Sequence, residues 1–98
     1  MQATKLLFVV FDEGIRPDVM EVLQEQGIQH FTRWSNAEGR GETGPRHGDP
    51  VWPGLNDVLM VALDEAQVQP LVEALHVMRD SFPLTPGLRV MVLDALFV

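Results

Sequence analysis

The feature that most constrains this chain is an alternation of apolar patterns. Three apolar runs and one mixed segment read as strands, and two stretches read as helices between them. Leu6-Leu7-Phe8-Val9-Val10-Phe11 is apolar without interruption, so it reads as a strand covered on both faces. Asp12-Glu13-Gly14 breaks it. Pro17 suits a first helical turn, and Asp18 and Glu21 suit the positive end of a helix dipole. Ile15, Val19 and Leu23 share one face, with Met20 and Val22 at its edges, and Gly27 supplies a C-terminal stop. These signals predict a first helix over 16–26.

A second strand is expected over 28–35, where Phe31 and Thr32 favour it. Period two puts Gln29, Arg33 and Ser35 on one side and His30, Thr32 and Trp34 on the other. A third strand is expected over 55–63, ending in Val58-Leu59-Met60-Val61-Ala62-Leu63. Asp64 is a good N-cap, and Val68, Leu71, Val72, Leu75, Met78 and Phe82 recur at helical spacing. Pro70 removes a main-chain donor, which favours a helix start near Gln69. Pro83, Pro86 and Gly87 end that helix, and 88–97 reads as the last strand.

The order is β-α-β-β-α-β in a chain of 98 residues, expected to form one domain over 1–98. It predicts a ferredoxin-like α+β fold, a four-stranded antiparallel sheet with both helices on one face. The first, third and fourth strands are apolar on both faces, so a second layer must cover the other side. Another copy of the chain is the simplest cover.

Between the second and third strands the composition changes. Residues 36–54 hold Gly39, Gly41, Gly44, Gly48 and Gly54 with Pro45, Pro50 and Pro53, and no strand or helix period survives. Hairpin loops usually take about two to five residues, so a loop this long is either functional or disordered. Gly39-Arg40-Gly41 can bring backbone N–H groups near an anion, with Arg40 and Arg46 supplying charge. It is neither a Walker loop nor a dinucleotide fingerprint, because no Gly-Lys-Ser/Thr follows and it opens no helix. His47 and Asp49, with Glu42 nearby and His30 as a further candidate, are plausible metal ligands. Exposed loop polarity explains them equally. His76 flanks the second helix's apolar stripe and reads as a solvated or interface residue. Trp34 and Trp52 bracket the loop, either to stack on a base or a partner or to pack under the loop at the sheet edge. Asp57 and Asp94 are acids beside apolar runs, and exposure at strand ends is expected for both.

Charge and composition exclude several classes. Seven basic against fourteen acidic residues give a net charge of −7, which disfavours phosphate-backbone contacts and hence nucleic acid. The absence of cysteine excludes disulfides, thiolate zinc sites and cysteine nucleophiles. The first apolar run is too short for a secretory signal or a membrane span, so the chain is expected to be cytoplasmic. Ser35 and Ser81 stand in no nucleophile motif. Nothing points to an enzyme.

The strand order, the size and the long loop resemble the nitrogen-regulatory PII-like superfamily over essentially the whole chain. Residues 36–54 look like its T-loop, with Gly39-Arg40-Gly41 at the base. The segment Gly48-Asp49-Pro50-Val51-Trp52-Pro53-Gly54-Leu55-Asn56 is similar to the loop exit of some divergent members. The resemblance implies a homotrimer with ligand clefts between subunits. It also implies a T-loop that engages a protein partner, often a membrane transporter or an enzyme. It implies adenine-nucleotide binding with Gly39, Arg40 and Gly41 at the T-loop base and Gly87 and Arg89 near the loop before the last strand, and Arg46 is a further ligand-binding candidate by its charge in the loop. The family's Gly-Asp-Gly-Lys phosphate loop is replaced by Phe82-Pro83-Leu84-Thr85-Pro86-Gly87-Leu88-Arg89. No tyrosine is present for uridylylation, and no basic extension follows the last strand. This divergence is closer to PII-like groups linked to heavy-metal efflux or inorganic-carbon transport. It leaves open a metal-sensing module built on His47, Asp49 and Glu42, or a plain interaction domain.

Overall fold

A computed structural model of the chain describes residues 1–41, 44–46 and 55–98. The elements run β1 (Gln2–Asp12), a 3-10 turn (Glu13–Ile15), α1 (Arg16–Glu25), β2 (Thr32–Ala37), β3 (Gly39–Gly41), β4 (Gly44–Arg46), β5 (Asn56–Leu63), α2 (Glu65–Asp80) and β6 (Leu88–Phe97). The main sheet is antiparallel with strand order β2-β5-β1-β6. With two helices on one face this is the ferredoxin-like α+β arrangement.

Pleat decides which residues meet the helices. Leu7, Val9 and Phe11 of β1 pair with Val61, Leu59 and Asp57 of β5 and point to the helical side. They pack with Leu63 and Leu88 against Val19, Val22 and Leu23 of α1 and Leu71 and Leu75 of α2. The opposite face carries Leu6, Phe8 and Val10 of β1, and these are only half-buried. Beside them on β6, Met91, Leu93 and Phe97 remain about half exposed, at 54, 47 and 55 %. Trp34 of β2 and Val58 of β5 extend the same apolar surface. Among the described residues no helix is long and apolar enough to cross a membrane.

Three elements differ from the sequence expectation, each for a local reason. The second strand starts at Thr32 rather than residue 28 because α1 ends in a Schellman motif. Gly27 takes a left-handed φ of 73°, its N–H donates to the Gln24 carbonyl, and the Ile28 N–H donates to the Leu23 carbonyl. Ile28 is thereby tied to the helix end and buried, not free to pair with a neighbouring strand.

The second helix starts at Glu65, not near Gln69, so Pro70 lies inside it. The Asp64 N–H donates to Gln67 Oε1 at 3.0 Å, and the Gln67 N–H donates to the Asp64 carbonyl at 2.9 Å. Pro70 leaves the Ala66 carbonyl without its helical donor, and both residues are exposed, where water can serve instead.

Within the long loop, where no strand period is legible, Gly39–Gly41 and Gly44–Arg46 pair as a short antiparallel ribbon.

Candidate functional site

The long loop leaves the sheet through a kink. The β2–β5 register shifts between Trp34 and Ala37, and Asn36 there takes a left-handed φ of 63°. Such a bulge redirects a strand, and asparagine tolerates this conformation better than most residues. The ribbon of β3 and β4 follows directly.

Pairings then align several segments at one end of the sheet. Ala37 lies opposite Asn56, and Asn56 lies opposite Asp12. The Asp12 N–H donates to the Gly87 carbonyl at 3.0 Å, and the Glu13 N–H donates to the Leu55 carbonyl at 3.0 Å. Asp12 Oδ1 accepts from the Gly14 N–H at 2.8 Å and so turns the chain into α1. A Cβ on Gly14 would approach that oxygen to 3.2 Å.

The loop base Gly39-Arg40-Gly41 and the segment Gly87-Leu88-Arg89 therefore occupy the same end of the sheet. They sit at opposite edges, with β5 and β1 between them. Three strand spacings separate them, about 14 Å, so they do not form one pocket within a single chain. Arg89 pairs in register with Val10 and lies on the open apolar face. Arg40 and Arg46 belong to the ribbon strands.

The metal candidates Glu42, His47 and Asp49, and Trp52, lie outside the described residues. His30 is exposed between α1 and β2, and His76 is half-buried on α2. Among the described residues no group of three or more His, Asp or Glu side chains could hold a metal ion.

Sequence reasoning missed a charged cluster beside the loop stems. Asp57 is completely buried, contrary to the expected strand-end exposure. It belongs to the core-facing row Asp57, Leu59, Val61, Leu63, so the period-two pattern of β5 already carried the signal. Arg16, the first residue of α1, satisfies it. Arg16 Nε–H donates to Asp57 Oδ2 at 2.5 Å, and Arg16 Nη2–H donates to Oδ1 at 2.9 Å. This fork-to-carboxylate geometry is the strong form of the ion pair. Hydrogen bonding to Asp57 raises the Arg16 pKa above its ordinary value. Arg33 of β2 lies opposite Leu59, diagonal to Asp57, and brings its Nε to 4.0 Å from Asp57 Oδ2. At the other end of the sheet Asp94, also expected to be exposed, is so, and it accepts a hydrogen bond from Lys5.

No protein-family model matches the sequence, and no curated protein matches it. Solved structures do match. CPII from Thiomonas intermedia K12, a nitrogen regulatory PII-like protein bound to ADP, AMP and bicarbonate, superposes with a TM-score of 0.73 at 18 % identity. That match covers 95 % of this chain and 88 % of CPII. A proposed PII-like signalling protein from Thermus thermophilus gives a TM-score of 0.65 at 17 % identity, over 96 % of this chain and 88 % of the other. A protein of unknown function from Pediococcus pentosaceus gives 0.68 at 18 % identity, over 97 % and 94 %. The resemblance read from strand order and loop length is thus matched in three dimensions: the chain has the fold of the PII-like nitrogen regulatory proteins.

Proposed function

We propose that this chain is a PII-like regulator. In this reading it assembles as a homotrimer in the cytoplasm and binds a small ligand, an adenine nucleotide, in the clefts between subunits. Ligand binding sets the conformation of loop 36–54, which then engages a protein partner such as a membrane transporter. It works by presenting a surface and not by catalysis.

The observation that carries this reading is the match in fold to CPII, a protein bound to ADP, AMP and bicarbonate. The arrangement of the candidate residues supports the intersubunit cleft. Gly39, Arg40, Gly41 and Arg46 leave one edge of the sheet, and Gly87 and Arg89 lie at the other edge of the same end. A neighbouring copy that brings its β6 edge toward the β2 edge would join the two halves. Guanidinium groups and backbone amides are suited to nucleotide phosphates. The apolar face with Phe8, Met91, Leu93 and Phe97 supports assembly, because so large an exposed apolar surface is rarely left to water.

Titration calorimetry with ATP, ADP, AMP and cyclic AMP tests the nucleotide assignment. At least one is expected to bind with sub-millimolar affinity and to bind more weakly to Arg89→Gln. The absence of binding by all four would remove the assignment.

A further inference from the structure

The Arg16–Asp57–Arg33 cluster contains more positive charge than its structural role requires. One bidentate guanidinium already serves both Asp57 oxygens. Arg33 stands at 4.0 Å from the same carboxylate, beyond hydrogen-bonding distance, and its side chain makes no hydrogen bond among the described residues. Two guanidinium groups thus contact one carboxylate, and the second of them has no hydrogen-bonded anion of its own among the described residues. Glu13 adds a through-space attraction to Arg16 but no hydrogen bond. Like charges held around one oxygen are unfavourable unless something else compensates them.

The geometry also leaves the cluster open. Asp57 is 0 % exposed, whereas the Arg16 and Arg33 side chains are 34 and 33 % exposed. The carboxylate forms the floor and the two guanidinium groups reach the surface. Arg16 is held by its fork and cannot swing away without leaving a buried carboxylate unpaired. Arg33 is fixed at its backbone by pairing with β5. Preorganised planar donors of this kind favour tetrahedral or planar oxyanions over water, because such anions accept two N–H bonds at once.

We propose that Arg16 and Arg33, seated on Asp57, form a receptor for a small oxyanion of phosphate or carboxylate chemistry. It lies on the helical side of the sheet, next to the stems of the long loop, because Arg33 precedes the loop and Asp57 follows it. Asp57 is a positioning residue: it fixes Arg16 and does not touch the anion. This site is separate from the proposed nucleotide cleft, which involves Arg89 on the opposite face. An occupant would neutralise the second guanidinium and tie both loop stems to α1.

The test uses the full chain, without nucleotide, and inorganic phosphate as the probe. Phosphate is titrated at constant ionic strength while the Nε–Hε resonances of the arginines are followed by NMR. Saturable shifts are expected for Arg33 and Arg16. Arg33→Gln should weaken apparent phosphate affinity roughly tenfold or more, the loss of one charge-assisted contact. Arg33→Lys should fall between, because it keeps the charge and loses the fork. Arg79→Gln, at the C-terminal end of α2 where Arg79 pairs with Asp80, should bind as wild type does. Shifts that never saturate, equal affinity in wild type and Arg33→Gln, or an equal loss in Arg79→Gln would each overturn the proposal. Each variant's circular dichroism spectrum verifies its fold before titration. None of these outcomes depends on whether the chain binds nucleotides.

Discussion

Replacing Asp57 by Asn is the most direct test of the buried cluster. The substitution keeps the shape of the side chain and removes its charge. It also turns one oxygen that accepts from Arg16 into an NH2 group that faces a donor. The carboxylate is fully buried and accepts two N–H bonds at 2.5 and 2.9 Å. Removing one member of a buried ion pair typically costs about 3–5 kcal/mol. Here both arginines are about one-third exposed and can regain water, which lowers the expected loss to about 2–3 kcal/mol. For a domain of this size each kcal/mol moves Tm by about 4–8 °C, so a fall of roughly 10–20 °C is expected. Thermal unfolding followed by circular dichroism at fixed protomer concentration provides the measurement. A double-mutant cycle with Arg16→Met isolates the pair: Arg16→Met alone strands the buried Asp57 carboxylate, and the double variant removes both charges. The coupling should be at least about 1 kcal/mol. A loss below about 0.5 kcal/mol in Asp57→Asn, or no coupling in the cycle, would refute the assignment of this ion pair as a structural tie.

Other predictions concern local features. Gly27→Ala should cost about 1–2 kcal/mol in chemical denaturation, wholly from the left-handed φ, since a Cβ there meets nothing within 4 Å. Pro70→Ala should stabilise the chain by about 1 kcal/mol, because the regained helical bond outweighs the freer unfolded chain, and a raised denaturation midpoint would show it. Leu93→Glu, on the open face, should shift the sedimentation coefficient to that of a monomer without changing the far-ultraviolet spectrum. The hydrogen bond from Arg79 lowers the pKa of Asp80. Its stabilising effect is therefore full above the unfolded value of about 3.9 and is lost as pH falls through the lower folded value. Comparison of Asp80→Asn with wild type should show the difference between them vanish only in strong acid.

Much of the fold was legible because patterns of period two and 3.6 report burial directly. The last strand, 88–97, coincides with β6, and the first helix is off by one residue. The errors share a cause: each depends on main-chain hydrogen bonds that composition does not display. Ile28 reads as strand, but its N–H is committed to the Leu23 carbonyl. Pro70 reads as a helix start, but a carbonyl that faces water can lose its donor at little cost. The cluster around Asp57 failed to register for a different reason. Its three residues lie far apart in sequence, and a strand acid reads as exposed unless its partners are known. The row Asp57, Leu59, Val61, Leu63 held the clue, and Arg16 and Arg33 supplied the missing charge.

The topology makes assembly and ligand binding inseparable in the proposed function. The loop base departs from the β2 edge, and Gly87 and Arg89 belong to the β6 edge, with two strands between them. No side chain spans that distance comfortably, so a ligand that needs both edges needs two copies. Linkage then requires the ligand to tighten assembly by the same factor by which assembly tightens the ligand. Apparent nucleotide affinity should therefore depend on protomer concentration near the assembly midpoint, and an oligomer-breaking change such as Leu93→Glu should weaken binding without touching a candidate contact. If a fully monomeric Leu93→Glu variant bound nucleotide as tightly as wild type, the ligand site would have to lie within one chain. The cleft between copies would then be the wrong place to look.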